Sequence, residues 1–432
     1  MITARAFAGK HYAVYGLARS GLATAEALLA SGARVTAWDA NDEARAKAPA
    51  GTKIANLDEA DLSQFDSLVV TPGLPLNRHP ITARARSANV EIIGDIELFA
   101  RARPELPPHK VVGITGTNGK STTTALVHHI LKTAAVPTTM GGNIGLPILA
   151  QHPLPEGGVY VLELSSYQID LTQNLDCDVA VLLNITPDHL DRYDSFEAYA
   201  ASKERLFEMQ VTPGGRLGTP LVVPCDEPSK RIALDWGAIE ICADYLDSEV
   251  FGDRADWSAL QGPHNALNAA AAAAAVFHAG VVNFGAVRKG LRTYAGLPHR
   301  MERVREKNGV LFVNDSKATN PTATAPALAA FERIRWICGG RAKTDNLDEC
   351  APQFAHVRKA YTIGEAGELF ASLLSPHMAV AECGTLERAV GEAAADAESG
   401  DTVLLSPACA SFDQFRDFEE RGDQFRELVG AL

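Results

Sequence analysis

The stretch Gly113-Ile114-Thr115-Gly116-Thr117-Asn118-Gly119-Lys120-Ser121 has the residue types and spacing to hold a chain of phosphates. Its glycines let the backbone approach an anion closely, and a helix starting just after them offers unpaired N–H groups and a positive dipole end. Gly116, Thr117, Asn118, Gly119, Lys120, Ser121 and Thr122 are therefore candidate ATP-binding residues. Lys120 would reach the β and γ phosphates, and the Ser121 hydroxyl would ligate Mg²⁺. A strict phosphate-loop pattern wants glycine where Ile114 stands, so a literal motif scan passes this loop by.

Other polar residues sit where such chemistry would need them. Glu163 ends an apolar run from Tyr160, and an acid at a strand end near a phosphate loop can hold Mg²⁺ or its water shell. Asp188, His189 and Asp191 cluster just past the apolar run 178–184, which favours a second metal or substrate contact over a loop histidine. Met140-Gly141-Gly142-Asn143-Ile144-Gly145 is a glycine-rich loop carrying one amide, either a ligand loop or a plain turn. Asn265 and Asn268 are three apart, so they share a helix face and could bind a base or ribose, or cap the helix. Lys203 lies on an amphipathic helix over 195–209, and its pattern alone reads as a surface lysine.

These residues need strands and helices to position them. A strand over 12–15, a turn Gly16-Leu17-Ala18-Arg19-Ser20-Gly21, a helix through Ala30 and a strand over 34–38 closing on Asp39 make a βαβ unit. A dinucleotide turn would carry a middle glycine where Ala18 stands, which leaves a mononucleotide or diphosphate site open. A buried strand over 67–70 opens into Thr71-Pro72-Gly73-Leu74, and ligands bind at such strand ends. A further strand is expected over 90–93, and 101–108 has linker composition. In the last third, strands over 310–313, 335–338, 360–363, 378–381 and 402–405 alternate with helices, predicting another parallel sheet. Its polar loops, 314–320, 339–343 and 406–415, converge on one edge where a small substrate would sit.

The chain has 432 residues, which suggests about three domains. Its hydrophobic content of 46% and charged content of 22% are ordinary soluble globular usage. The formal net charge of -13 argues against non-specific nucleic-acid binding. Seven cysteines occur without any Cys-x-x-Cys pair, which reads as buried thiols in a reducing compartment. With no apolar signal core at the N-terminus and no apolar run long enough to span a bilayer, a cytoplasmic protein without membrane insertion is expected.

Taken together, these motifs resemble the Mur ligase family over essentially the whole length. The resemblance rests on Gly116-Thr117-Asn118-Gly119-Lys120-Ser121, Gly141-Gly142-Asn143-Ile144-Gly145, Glu163-Leu164-Ser165-Ser166 and Asp188-His189-Leu190-Asp191-Arg192-Tyr193. Asp315-Ser316-Lys317-Ala318-Thr319-Asn320 and Ser406-Pro407-Ala408-Cys409-Ala410-Ser411 are its most specific carriers, and they are most similar to the D-glutamate-adding branch.

The resemblance implies an α/β protein of three domains. These are a Rossmann-like UDP-substrate domain over 1–98, a P-loop ATPase-like central parallel sheet over 99–298, and a Rossmann-like amino-acid domain over 299–432. It implies ATP and two Mg²⁺ ions as cofactors, and UDP-N-acetylmuramoyl-L-alanine and D-glutamate as substrates of a monomer. Arg19, Ser20, Asp39, Thr71, Pro72, Gly73, Asn143 and His189 then match UDP-substrate positions. Lys120, Ser121, Glu163, Asn268, Arg300 and Asp315 match ATP and Mg²⁺ positions, with His189 near the metal and among the catalytic set with Lys120 and Lys203. Lys203 matches a lysine that the family carbamylates, turning a cation into an oxygen ligand for Mg²⁺. Lys317, Thr319, Lys343, Ser411 and Phe418 match positions around D-glutamate. Lys343 lacks the acidic neighbour often found there. The implied reaction makes an acyl phosphate that an amine attacks, with closure of the domains bringing the ligands together. Two rivals remain at this point: an oxidoreductase reading Gly16 to Asp39, and a non-catalytic nucleotide-binding module. A folylpolyglutamate-type ligase shares the phosphate loop but not the βαβ region before it.

Overall fold

The computed structural model describes residues 1–188, 191–211, 215, 218–246 and 248–432, the side chains of Ser248 and Glu249 excepted. Among them, Met1–Gly252 with Leu267–Leu291 form one compact unit, and Asp253–Ala266 with Arg292–Leu432 a second.

The first unit holds two sheets. One contains β1 (His11–Tyr15), β2 (Arg34–Trp38), β3 (Lys53–Ile54), β4 (Ser67–Val70) and β5 (Glu91–Ile93), in the order β3-β2-β1-β4-β5 and all parallel. The strand order switches sides between β1 and β4, with β2 and β3 on one side and β4 and β5 on the other, so the turns after β1 and β4 open on one crevice. The other contains β6 (His109–Thr115), β7 (Thr138–Gly142), β8 (Gly158–Glu163), β9 (Val179–Leu182), β10 (Thr219–Val222) and β11 (Ile239–Glu240), in the order β11-β10-β9-β6-β8-β7. β6 is central, with Ile114 beside Glu163 on β8 and Thr115 beside Leu182 on β9. The phosphate loop thus leaves the sheet between an acid and the 183–186 loop. Fully buried runs such as Val179–Leu182 and Ser67–Val70 fit strands covered on both faces.

One apolar cluster runs through both of these sheets. It joins Tyr12, Val14, Ile96 and Phe99 to Val111, Tyr160 and Leu162, all essentially inaccessible. Phe99 meets Tyr160 edge-on at 5.1 Å. The segment expected as a linker is largely structured: a helix continues through Ala102, and Arg103–Glu105 adds a short turn of 3₁₀-helix.

The second unit contains β12 (Glu302–Lys307), β13 (Val310–Asn314), β14 (Ile334–Gly339), β15 (Val357–Ile363), β16 (Ala379–Gly384) and β17 (Thr402–Leu405), in the order β12-β13-β17-β14-β15-β16. The expected parallel sheet is present, but β12 pairs antiparallel with β13 at its edge. β12 carries five charged residues around Val304, so no apolar alternation marked it in advance. β17 lies between β13 and β14, which sets the loops after all three strands side by side. Apolar clusters cover both faces of this sheet.

Candidate functional site

The phosphate loop follows β6 and enters a helix at Lys120–Thr133. Gly116 has φ +147° and Gly119 φ +84°, where an L side chain is strained. A Cβ at Gly119 would also collide with Asn268 Oδ1, so Asn268 lies directly against the loop. The loop is fastened from below. Thr117 N donates to Asn184 O at 2.8 Å, Asn118 N to Asn184 Oδ1 at 2.8 Å, and Thr186 N to Thr117 Oγ1 at 3.0 Å. Lys120 Nζ donates to the carbonyls of Gly116 (2.9 Å) and Thr117 (2.8 Å), folding the side chain over its own loop. Ser121 and Thr122 open the helix, with Ser121 7% exposed. The loop and the helix start together form a ready anion site.

Lys203 departs from its surface reading. It is 2% exposed, with Nζ 2.9 Å from the Gly116 carbonyl and 4.5 Å from the centre of the Tyr199 ring. Burial, and then the neighbouring Lys120 cation, push its amine well below the usual lysine range, with Asp188 and Asp170 opposing. Its hydrogen-bond partner is the Gly116 carbonyl in the phosphate loop, far away in sequence, so helix periodicity could not reveal it.

Glu163 ends β8 and is 2% exposed. Asn143 Nδ2 donates to its Oε1 at 3.2 Å, while Oε2 is buried with no hydrogen-bond partner among the described residues. A buried carboxylate oxygen without a donor, beside a phosphate loop, suits a divalent cation. The described residues contain no preformed cluster of three or more His, Cys, Asp or Glu arranged for a metal. Phosphate oxygens, Ser121 and water would have to complete a Mg²⁺ shell with Glu163, which is the usual habit of that ion. His189 lies outside the described residues.

At the crevice of the first sheet, Gly16 has φ +96° and packs against the Thr71 side chain. Asp39 ties the turn together: Oδ2 accepts Leu17 N at 2.7 Å and Oδ1 accepts Asn41 N at 2.9 Å. Arg19 and Ser20 begin the 19–30 helix, and Arg19 Nη2 donates to Gly145 O at 2.8 Å in the glycine-rich loop that carries Asn143. The Pro72 and Gly73 carbonyls are held by Arg192, a residue whose type and spacing suggested no chemical role of its own.

Within the second unit, Asp315 follows β13 and is 6% exposed. It accepts from Met301 N at 3.1 Å and Ser406 Oγ at 2.8 Å. Burial raises its pKa to about 7 against the pull of these donors and of Arg300. Lys317 Nζ sits 3.8 Å from the centre of the Phe418 ring, and Lys343 Nζ donates to Thr319 Oγ1 at 3.3 Å. Ser411 is 2% exposed, in the loop after β17. The structure therefore brings Lys317 to Phe418 and Lys343 to Thr319. Asn265 donates instead to Gln261 O at 3.0 Å.

A residue missed from the sequence stands behind these loops. Arg421 is 1% exposed and donates to Ser316 Oγ, Ser316 O and Cys409 O at 2.9–3.0 Å. Burial lowers its pKa to about 10. One basic side chain on a charged helix carries no signal of burial.

Comparisons with known proteins agree along the chain. The model of the Mur ligase MurD-like N-terminal domain matches residues 10–94, that of the Mur ligase middle domain 114–242, and that of the Mur ligase glutamate ligase domain 299–409. The chain is 59% identical to the UDP-N-acetylmuramoylalanine–D-glutamate ligase of Novosphingobium aromaticivorans, over 100% of this chain and 97% of the relative. It is 58% identical to the protein of the same name in Sphingopyxis alaskensis, over 100% of both. Among solved structures, the MurF ligase of Thermotoga maritima in complex with ADP is 16% identical, with TM-score 0.59 over 99% of this chain and 97% of that one. The UDP-N-acetylmuramate-alanine ligase MurC of the same organism is 17% identical, with TM-score 0.58 over 98% and 99%. These two likenesses concern the fold. Among the described residues, no helix is long and apolar enough to cross a membrane.

Proposed function

The chain belongs to the Mur ligase family, with that family's three-domain α/β fold, and from this premise we propose that it joins D-glutamate to UDP-N-acetylmuramoyl-L-alanine at the cost of ATP. The observation that carries the chemistry is the phosphate loop set against buried Glu163 and buried Lys203. The setting is the bacterial cytoplasm, and the enzyme acts as a monomer with domains over 1–98, 99–298 and 299–432.

The alanine carboxylate of the UDP substrate attacks the γ phosphorus, the bond to the β-phosphate oxygen breaks, and ADP leaves. The amine of D-glutamate then attacks the acyl phosphate carbon, loses a proton, and phosphate departs. The work of the chain is to position charge. Loop N–H groups and Lys120 face the phosphates, and Glu163 and Ser121 would hold Mg²⁺. Bound there, the ion supplies charge neutralisation for the oxygens in transfer. Asn268, Arg300 and Asp315 serve the rest of the nucleotide. The Gly16 turn, Arg19, Ser20, Asp39, Thr71–Gly73, Asn143 and His189 serve the UDP substrate. Lys317, Thr319, Lys343, Ser411 and Phe418 serve D-glutamate, whose two carboxylates call for cations and hydroxyls.

Lys203 fits a carbamate. The attack on CO₂ needs a neutral amine, which forms the N–C bond and releases a proton. Burial and Lys120 favour that neutral amine. The carbamate would then exchange an unfavourable cation pair for an anion beside Lys120 and the metal. Lys203→Ala should cut turnover by about 10²-fold or more, with added acetate restoring part of it, on the scale of a lost transition-state contact. Full activity without acetate would remove the carbamate from the reaction.

The test of the function is phosphate release from ATP with UDP-N-acetylmuramoyl-L-alanine and a panel of L- and D-amino acids. Release should require D-glutamate and should fall to background in Lys120→Ala. Release that ignores the amino acid, or prefers another one, refutes the assignment.

A further inference from the structure

Two loops of the first unit, from different sheets, are joined by one side chain. Arg192, just past β9, fans its guanidinium across three successive carbonyls of the loop after β4: Gly73 O at 3.2 Å, Leu74 O at 2.6 Å and Pro72 O at 3.5 Å. The same guanidinium lies 4.3 Å from the centre of the Tyr167 ring. The other loop reciprocates, since Asn77 Nδ2 and Arg78 Nη2 donate to Asp191 O at 3.1 and 2.8 Å. Beneath the clasp is a cavity of about 40 Å³, lined in part by Leu76, Asp170, Leu171 and Tyr193.

The contacts continue to the phosphate loop. Tyr167 stacks on Tyr193 at 6.2 Å between centroids, and Tyr193 meets Tyr199 at 5.4 Å. Tyr193 is fixed by its hydroxyl, which donates to Asp170 Oδ2 at 2.8 Å. Tyr199 OH lies 3.1 Å from Thr117 Oγ1, and its ring faces Lys203 Nζ. An unbroken set of packed side chains thus runs from the Thr71–Leu74 loop to the phosphate loop.

We propose that Arg192 is a positioning residue that couples the two ligand sites, so that ordering the Thr71–Gly73 loop around the UDP substrate also orders the phosphate loop for ATP, and the reverse. The proposal rests on the function given above. The physical ground is the planar fork: five donors in fixed geometry can hold three carbonyls while the face stacks on an aromatic ring. A lysine offers one point of charge and cannot do both. Coupling of this kind is reciprocal, and packed contact alone does not establish it, so the test must measure it.

Calorimetric titration of UDP-N-acetylmuramoyl-L-alanine, with and without a non-hydrolysable ATP analogue and Mg²⁺, reads the coupling directly. In the parent protein the analogue should tighten the UDP substrate by about fivefold or more. That ratio should fall to about one in Arg192→Ala and to an intermediate value in Arg192→Lys, as expected for loss of the coupling element. A merely structural arginine would lower the melting temperature and leave the ratio intact. A ratio kept in Arg192→Ala, or a ratio of one in the parent, overturns the proposal. If Arg192→Ala does not fold, the exposed Arg78→Gln decides: a reduced ratio supports the clasp, and an unchanged ratio overturns it. A parent that binds ATP analogue but no UDP substrate instead overturns the function on which the proposal stands.

Discussion

Gly119 and Asp315 show how much a single position can demand. At Gly119 the backbone is left-handed and Asn268 fills the space a side chain would take. Gly119→Ala should therefore cost about 1–3 kcal/mol of stability and depress ADP formation more than the melting temperature, because the strain falls on the loop itself. ADP formation at the parent's rate would contradict this. Asp315 is held in a site that favours its neutral form, with a pKa raised from 3.8 to about 7. The folded chain binds this proton more tightly than the unfolded chain does. Its stabilising share is complete below about pH 4 and is lost as pH rises through about 7. Asp315→Asn should thus gain in melting temperature relative to the parent as pH is raised from 4 to 8, by up to a few kcal/mol in stability. A constant difference between the two proteins across that range contradicts the shift. Residues of these two kinds differ in legibility. Glycines and strand-end acids announce themselves locally, because a tight turn or a buried acid has few substitutes. Lys203 and Arg421 do not, because what buries them arrives from distant strands and loops.

At the scale of elements, the loop after β9 is a brace for the phosphate loop, and a helix cap holds the brace. Asp226 opens the Glu227–Trp236 helix, with Oδ1 accepting Ser229 N at 2.8 Å. Its Oδ2 accepts Ile185 N at 2.7 Å, next to Asn184, whose backbone and side chain hold Thr117 and Asn118. Asp226→Ala removes both bonds. It should cost about 1–2 kcal/mol, as cap losses do, and should also raise the KM for ATP. Asp226→Asn keeps one acceptor oxygen and should lie between. If the alanine variant loses stability with its KM for ATP unchanged, the brace has no functional part. The strands feeding these loops were readable from the sequence because runs such as Ser67–Val70 and Val179–Leu182 are buried on both faces and, Ser67 apart, apolar. β12 was not, since an edge strand with one partner can be mostly charged. The clasp of Arg192 was also hidden, because it is defined by carbonyls, which every residue carries.

On the scale of the whole molecule, the physical division follows the cores. The first two sheets share one apolar cluster, while the sheet of the second unit has clusters of its own. Phe99 is the natural probe, because it is fully buried within the shared cluster and packs edge-on against Tyr160 of β8. Phe99→Ala removes a large, fully buried ring, at about 3–5 kcal/mol. If the shared cluster makes the two sheets one cooperative body, that loss must be felt by both. Amide exchange of β1 and of β6 should accelerate together, although Phe99 itself precedes the phosphate loop by more than a dozen residues. Exchange in β13 and β17 should hardly change, since their residues belong to other clusters. Faster exchange in β1 alone would mean that the sheets unfold separately, and that the Arg192 clasp would have to couple two bodies without a common core behind it.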